Sequence, residues 1–212
     1  MISKKLLVAA LAGTFMLAGV SRASTIPIVN ADFEAGGSSI FTNASNAIAG
    51  WVFTPGNNGY AGVQAGDLLG QGSSTNSAGY LFQTGVLEQT LTGYSLVPNA
   101  SYTLTLDASS RGRPYSELVV DLFAGATPLT LIPGANPDLN VGSLANVPAA
   151  WSFTYVAPAV PATGDLKIRF SHTVDDLDSF DNVVLNQTPI PEPASLGLLS
   201  VAGLALLRRR RA

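Results

Sequence analysis

The chain has no cysteine, so neither disulfides nor thiolate chemistry can contribute to it. It has a single histidine, His172, which with the lack of cysteine leaves a zinc site unsupported. Cations are scarce: of 11 Lys and Arg residues, seven (Lys4, Lys5, Arg22 and Arg208 to Arg211) lie in the two tails. Between Ser24 and Pro189 only Arg111, Arg113, Lys167 and Arg169 stand against 13 acidic residues, a net of −9. That balance excludes nucleic-acid partners, because neutralising phosphates needs clustered Lys and Arg. It leaves calcium and neutral polymers open. Amphipathic helical periodicity is missing, as is a Gly-x-Ser-x-Gly nucleophile elbow. His172 ends an alternating segment and reads as structural, and although acids are plentiful, nothing selects a pair for two-carboxylate glycoside chemistry.

What is present begins at the tails. Lys4 and Lys5 precede the apolar run Leu6 to Val20, and Ser21-Arg22-Ala23 puts small residues where a signal peptidase reads, so residues 1–23 are expected to be a secretory peptide. At the other end, Ala194 to Leu207 would rise only about 21 Å as a helix, short of the roughly 30 Å hydrocarbon core of a bilayer. Pro191, Glu192 and Pro193 stand before that run and Arg208, Arg209, Arg210 and Arg211 after it. Pro-Glu-Pro, a short apolar helix and an arginine cluster resemble the PEP-CTERM sorting signal. The resemblance implies transient membrane insertion, with arginines holding the cytoplasmic end. It further implies recognition and cleavage near Pro-Glu-Pro by an exosortase, and delivery to the envelope or extracellular matrix of a Gram-negative bacterium. Residues 190–212 are then the sorting signal and 24–189 one domain, long enough for a single core.

Within that domain the apolar pattern has period two. In Ser101 to Asp107, Tyr102, Leu104 and Leu106 share one face and Thr103, Thr105 and Asp107 the other, as in a half-buried strand. Similar segments are expected at 26–33, 51–54, 59–64, 79–83, 87–91, 102–107, 118–124, 151–156, 166–172 and 181–185, separated by Gly, Pro and Asn turn chemistry. The fold class is therefore all-β, an antiparallel β-sandwich or jelly roll. Residues 66–78 and 131–150 read as long loops. Asp175-Asp176-Leu177-Asp178 lacks the glycine and distal glutamate of an EF-hand and reads as a solvated turn.

The segments IPIVNADFE, Gly50-Trp51, LEQTLTGYSLVPNASYTLTLDA, ELVVDLFAG and SFDNVVLN resemble carbohydrate-binding modules and other galactose-binding-like jelly rolls. In that superfamily the first and last strands commonly meet at a structural calcium ion, which needs several oxygen ligands. The resemblance places it at Glu34 and Asp181, with Asn30, Asp32 and Asp107 as further ligands. A sugar ring wants an aromatic face and polar partners for its hydroxyls. Tyr60, Tyr80, Tyr115 and Trp151 are the candidate aromatics, with Asn57, Asn58, Gln64, Gln83 and Arg113 as polar partners; Trp51 and Trp151 also fit a core role. The same spacing is similar to that of the Stig cyclases, calcium-dependent jelly-roll enzymes that work by acid catalysis. Their catalytic acid is the first Asp of a D-x-D-N-V ending, where this chain has Ser179 in Ser179-Phe180-Asp181-Asn182-Val183. The expectation is thus an exported, non-catalytic carbohydrate-binding or structural sandwich with calcium, partnered by signal peptidase, exosortase and extracellular polysaccharide. A calcium-dependent cyclase or a glycoside-acting enzyme is the alternative.

Overall fold

Alternation sorts nearly every strand into an apolar inner face and a polar outer one. In the computed structural model, residues 22–35, 48–56, 59–65, 77–110, 118–132, 149–160, 162–172 and 177–189 are described. The sorting signal, nearly all of the signal peptide, and Asn57, Asn58, Arg113 and Tyr115 lie outside them. The strands are β1 (Ser24–Ile26), β2 (Val52–Pro55), β3 (Tyr60–Ala65), β4 (Ser77–Phe82), β5 (Gly85–Ser95), β6 (Ala100–Ser110), β7 (Val119–Ala124), β8 (Thr127–Pro128), β9 (Thr130–Leu131), β10 (Ala149–Val156), β11 (Asp165–His172) and β12 (Leu177–Pro189). Among the described residues there is no helix, and so none long and apolar enough to cross a membrane.

All pairings are antiparallel and build two sheets. The seven-stranded sheet runs β3-β4-β12-β6-β10-β9, with β1 also on β12; the five-stranded sheet runs β2-β5-β11-β7-β8. Tyr102, Leu104, Leu106 and Ala108 of β6 and Leu166, Ile168 and Phe170 of β11 are buried between the sheets. Four rings form the centre: Phe170 lies 4.6 Å from Phe180 and 5.3 Å from Trp51, and Phe33 lies 5.5 Å from Trp51 and 5.2 Å from Phe180, centroid to centroid. Gly79 permits this, since a Cβ there would stand 2.7 Å from both the Phe180 and the Phe33 rings.

Three expectations need correction. The first strand stops at Ile26 rather than Phe33, because Asn30 and Phe33 adopt positive φ of 51° and 53°, which no strand accommodates. Residues 27–35 instead form a loop tied to both sheets. The Gln89 amide of β5 grips Val29 on both sides, accepting from its N–H at 2.8 Å and donating to its carbonyl at 2.9 Å, while Val183 N–H of β12 donates to the Ala31 carbonyl at 3.0 Å. Gln89→Leu should therefore cost about 1–3 kcal/mol in chemical denaturation, since it strips a part-buried peptide of both partners. The last strand begins at Leu177 rather than Asp181, and the expected loops are shorter at their ends, with Ser77 and Ala78 in β4, Leu131 in β9 and Ala149 and Ala150 in β10. Finally, Asp178 is not part of a solvated turn: it is fully buried in β12, with Oδ2 2.8 Å from His172 Nε2 of β11.

Candidate functional site

The face of the seven-stranded sheet turned away from the core carries the sequence-predicted residues that come together. Ala61 and Val63 of β3 point into the core, so Tyr60, Gly62 and Gln64 take the outer face. Register aligns Tyr60 with Phe82, Gly62 with Tyr80 and Tyr80 with Ser179, which in turn faces Ser109 on β6. A strip results with three zones.

At one end the rings of Tyr60 and Phe82 stack 6.0 Å apart with planes 12° from parallel, both partly exposed. In the middle Tyr80 lies over Gly62, where a Cβ would meet its hydroxyl at 2.6 Å. Burial raises the Tyr80 phenol above its ordinary value, keeping it neutral at neutral pH. Beside it, Gln64 Nε2 donates to Ser179 Oγ at 2.6 Å. Gln64, Tyr80, Ser109 and Ser179 are all buried.

The third zone is acidic. Asp181 and Asp107 are cross-strand partners, and immediately after them a bulge shifts the β12 register, with Asn182 at φ 53°. The bulge aims Asn182 so that its N–H donates to Asp181 Oδ1 at 2.7 Å and its Nδ2 to Asp107 Oδ2 at 2.9 Å. Glu34 arrives from the 27–35 loop, its Oε1 accepting from Ser77 N–H at 2.6 Å, and Asp32 Oδ1 accepts from Glu34 N–H at 3.4 Å. Asn30 does a different job, since its side-chain amide closes the loop on Ala35 through bonds of 2.8 and 3.0 Å. Burial foremost pushes the Asp181 carboxyl up to about 6, and the charges of Glu34, Asp107 and Asp32 add to this against the lowering effect of the Asn182 amide.

Among the described residues none of these four acids is ion-paired, and each spends one oxygen on a protein donor while the other stays available. An oxygen-only, cation-poor set of this kind suits a hard divalent ion. Among the described residues no three His, Cys, Asp or Glu side chains could hold a metal by themselves, so an ion here would need main-chain carbonyls and water to complete its shell.

Other candidates fall elsewhere. Trp151 pairs with Leu106 and packs against the core, away from the strip, and Trp51 is one of the central rings. Gln83 sits in the β4–β5 turn at φ 57°, its carbonyl 2.8 Å from His172 Nδ1. The two described cations of the domain body, Lys167 and Arg169, lie on the outer face of the other sheet, paired with Glu88 at 3.2 Å and Asp121 at 3.5 Å and stacked over Phe123. Sequence reasoning missed Phe82, Ser109 and Asn182. The alternation Tyr80-Leu81-Phe82 puts Phe82 on the Tyr80 face and could have found it; the bulge that aims Asn182 has no such signal.

No protein-family model matches the chain, and no characterised protein matches it in sequence. Solved structures do. A cyclase from Fischerella sp. TAU superposes with a TM-score of 0.61 at 23% identity, over 81% of this chain and 100% of that one. The apo form of a cyclase from Fischerella sp. gives 0.60 at 21%, over 80% and 98%. The CBM22-1 xylan-binding domain of Paenibacillus barcinonensis Xyn10C gives 0.51 at 10%, over 81% and 99%. Such identities speak to architecture, and the described chain is accordingly an antiparallel jelly-roll β-sandwich.

Proposed function

We propose that this chain is an exported, non-catalytic carbohydrate-binding protein of the cell envelope or extracellular matrix, with ligand on the outer strip and calcium at the acidic zone. The observation that carries the reading is the Tyr60–Phe82 pair: two near-parallel, partly exposed rings at the open end of a polar strip offer the flat apolar face that the C–H side of a sugar ring covers. The xylan-binding module that shares the fold supports a polysaccharide ligand. Calcium rests on the oxygen-only chemistry of the acidic zone, where no more than two of Glu34, Asp181, Asp107 and Asp32 would serve one ion and main-chain carbonyls and water would complete its shell. Export rests on the two tails, with signal peptidase at residues 1–23 and an exosortase at Pro191-Glu192-Pro193 as processing partners.

Titration calorimetry with xylohexaose and a panel of neutral oligosaccharides tests the binding reading. Tyr60→Ala should weaken whichever sugar binds by about tenfold, the loss of one stacking platform. A wild-type chain that binds none of the panel would overturn it. Pulse-chase of a C-terminally tagged chain should show the tag removed, and a tag retained on the mature protein would end the sorting proposal.

The enzyme alternative needs a carboxylic acid where Ser179 stands. Ser179 is fully buried, and its Oγ lies in a 2.6 Å hydrogen bond with Gln64 Nε2. Turnover of a prenylated indole that disappears in Asp181→Ala would install the cyclase reading in place of the binding one.

A further inference from the structure

Both tails leave the sandwich from one end. Ser24 at the start of β1 pairs with Gln187, and Pro189 at the close of β12 pairs with Ala100 at the start of β6. The β5–β6 turn, the β7–β8 turn and the 157–164 connection lie at that same end, because Ser95 pairs with Asp165, Ala124 pairs with Leu166, and Ala157 N–H donates to the Ala100 carbonyl at 2.8 Å. Several apolar side chains there face solvent. Val160 is 85% exposed, the highest value for any large hydrophobic among the described residues, and Tyr94 and Val97 stand exposed on neighbouring segments. Beside them a groove of about 450 Å³ runs among Leu96, Pro128, Leu129, Val156, Ala157 and Ala162, with no charged residue in its lining. Asp165 is the one described acid on these connections and strand ends, and its Oδ1 accepts from Gly93 N–H at 3.2 Å. The acidic zone is elsewhere, with Asp181 roughly 25 Å back from Pro189 along β12.

The reach of the C-terminal tail limits what this end can meet. Ala194, where the apolar run begins, is at most about 18 Å from Pro189 even with the chain fully extended. β12 itself, from Leu177 to Pro189, is roughly 40 Å long. A tail inserted in a membrane therefore holds this end of the domain near the headgroups. Exposed valines, a tyrosine and an uncharged groove suit that place, because apolar and aromatic side chains are favoured at headgroup level while carboxylates are repelled by anionic lipid. We infer that the tail end of the sandwich is a membrane-contact face, with Val160, Val97 and Tyr94 seated in the headgroup layer of the bilayer that holds the tail. The inference rests on the tail reading above and adds an orientation to it. Tyr60 and Phe82 pair beside Leu177, at the far end of β12. The sugar platform is thereby held roughly 40 Å out from the lipid, open to extracellular polymer.

The chain has no cysteine, so Val160→Cys and Val52→Cys each supply a single thiol for an environment-sensitive fluorophore. Both positions are well exposed, and Val52, opposite Glu88 on β5, lies on the flank of the other sheet, away from the tails. The labelled full chains are reconstituted into vesicles of phosphatidylcholine and phosphatidylglycerol and recovered by flotation. The Val160 probe should emit to the blue of the Val52 probe. It should also lose at least about half its emission when the lipid is brominated in the upper acyl chain, since a side chain seated in the interface lies roughly 5–10 Å into the headgroup and acyl boundary. The Val52 probe should be unchanged by bromination. If the chain floats but the Val160 probe is quenched no more than the Val52 probe, the tail reading stands and the membrane-contact face falls; equal quenching of both is the result for a domain lying on its side. Chains that fail to float overturn the tail reading and the contact face together.

Discussion

Replacing Asp178 by alanine should cost about 3–5 kcal/mol, a large share of the roughly 5–15 kcal/mol by which a domain of this size is stable. His172 and Asp178 join the two sheets, at the last residue of β11 and near the start of β12, with both side chains wholly buried. The Gln83 carbonyl can only accept, so His172 Nδ1 carries a hydrogen. The 2.8 Å approach of Nε2 to Asp178 Oδ2 then needs one further proton, either on the imidazole facing a carboxylate or on the carboxyl facing a neutral ring. Alanine at 178 takes that carboxyl away from a histidine buried in the interior. Asparagine should cost far less, because its amide N–H can donate to Nε2. Urea denaturation of the two variants decides the matter: a loss under about 1 kcal/mol for Asp178→Ala would show that the pair is not a required tie between the sheets.

Asp181→Asn should change sign with calcium. In chelator, the Asp181 carboxyl of the folded chain titrates near 6, raised by burial and by its acidic neighbours. A carboxyl whose folded value lies above its unfolded one favours folding while protonated. Its contribution is full below about pH 4 and disappears as pH rises through about 6. The metal-free chain should therefore lose stability across that window, and Asp181→Asn should flatten the loss and stabilise it at pH 7 by about 1 kcal/mol, once solvent screening of the neighbouring charges is discounted. With calcium the ionised carboxylate becomes the useful form. Wild type at a hundredfold excess over Kd should gain about 2.7 kcal/mol, most of which the variant forgoes. Melting curves at pH 4, 6 and 8 with chelator and with calcium form the experiment. A wild-type chain whose Tm ignores calcium would remove the metal from the acidic zone and leave those acids as a solvated edge.

Much of the framework was legible in the residues. Period-two alternation located nine of the twelve strands; it set the first at 26–33, which shares only Ile26 with β1, and missed the two-residue strands β8 and β9, which are too short to carry a pattern. It also assigned inner and outer faces, because a strand's side chains alternate whatever their partners are. Grouping Glu34, Asp32, Asp107 and Asp181 came from resemblance; Asn182 bridges Asp181 and Asp107, but among the described residues no three acidic side chains form a group that could hold a metal.

Other features depended on where distant segments meet. Asp178 reads locally as one acid in an acidic run; burial against His172 is decided by the approach of β11 to β12 across the core. Trp151 reads equally well as platform or core until pairing with Leu106 turns it inward. Phe33 looks like a strand residue, and only the ring cluster with Trp51 and Phe180 makes its left-handed backbone worth holding. The sequence by itself determined strand faces, an acidic body and the two distinct tails, because composition and period act residue by residue. Only the tertiary structure decided which acids lie beside one another and which aromatics face outward, because those depend on register between strands far apart in the chain.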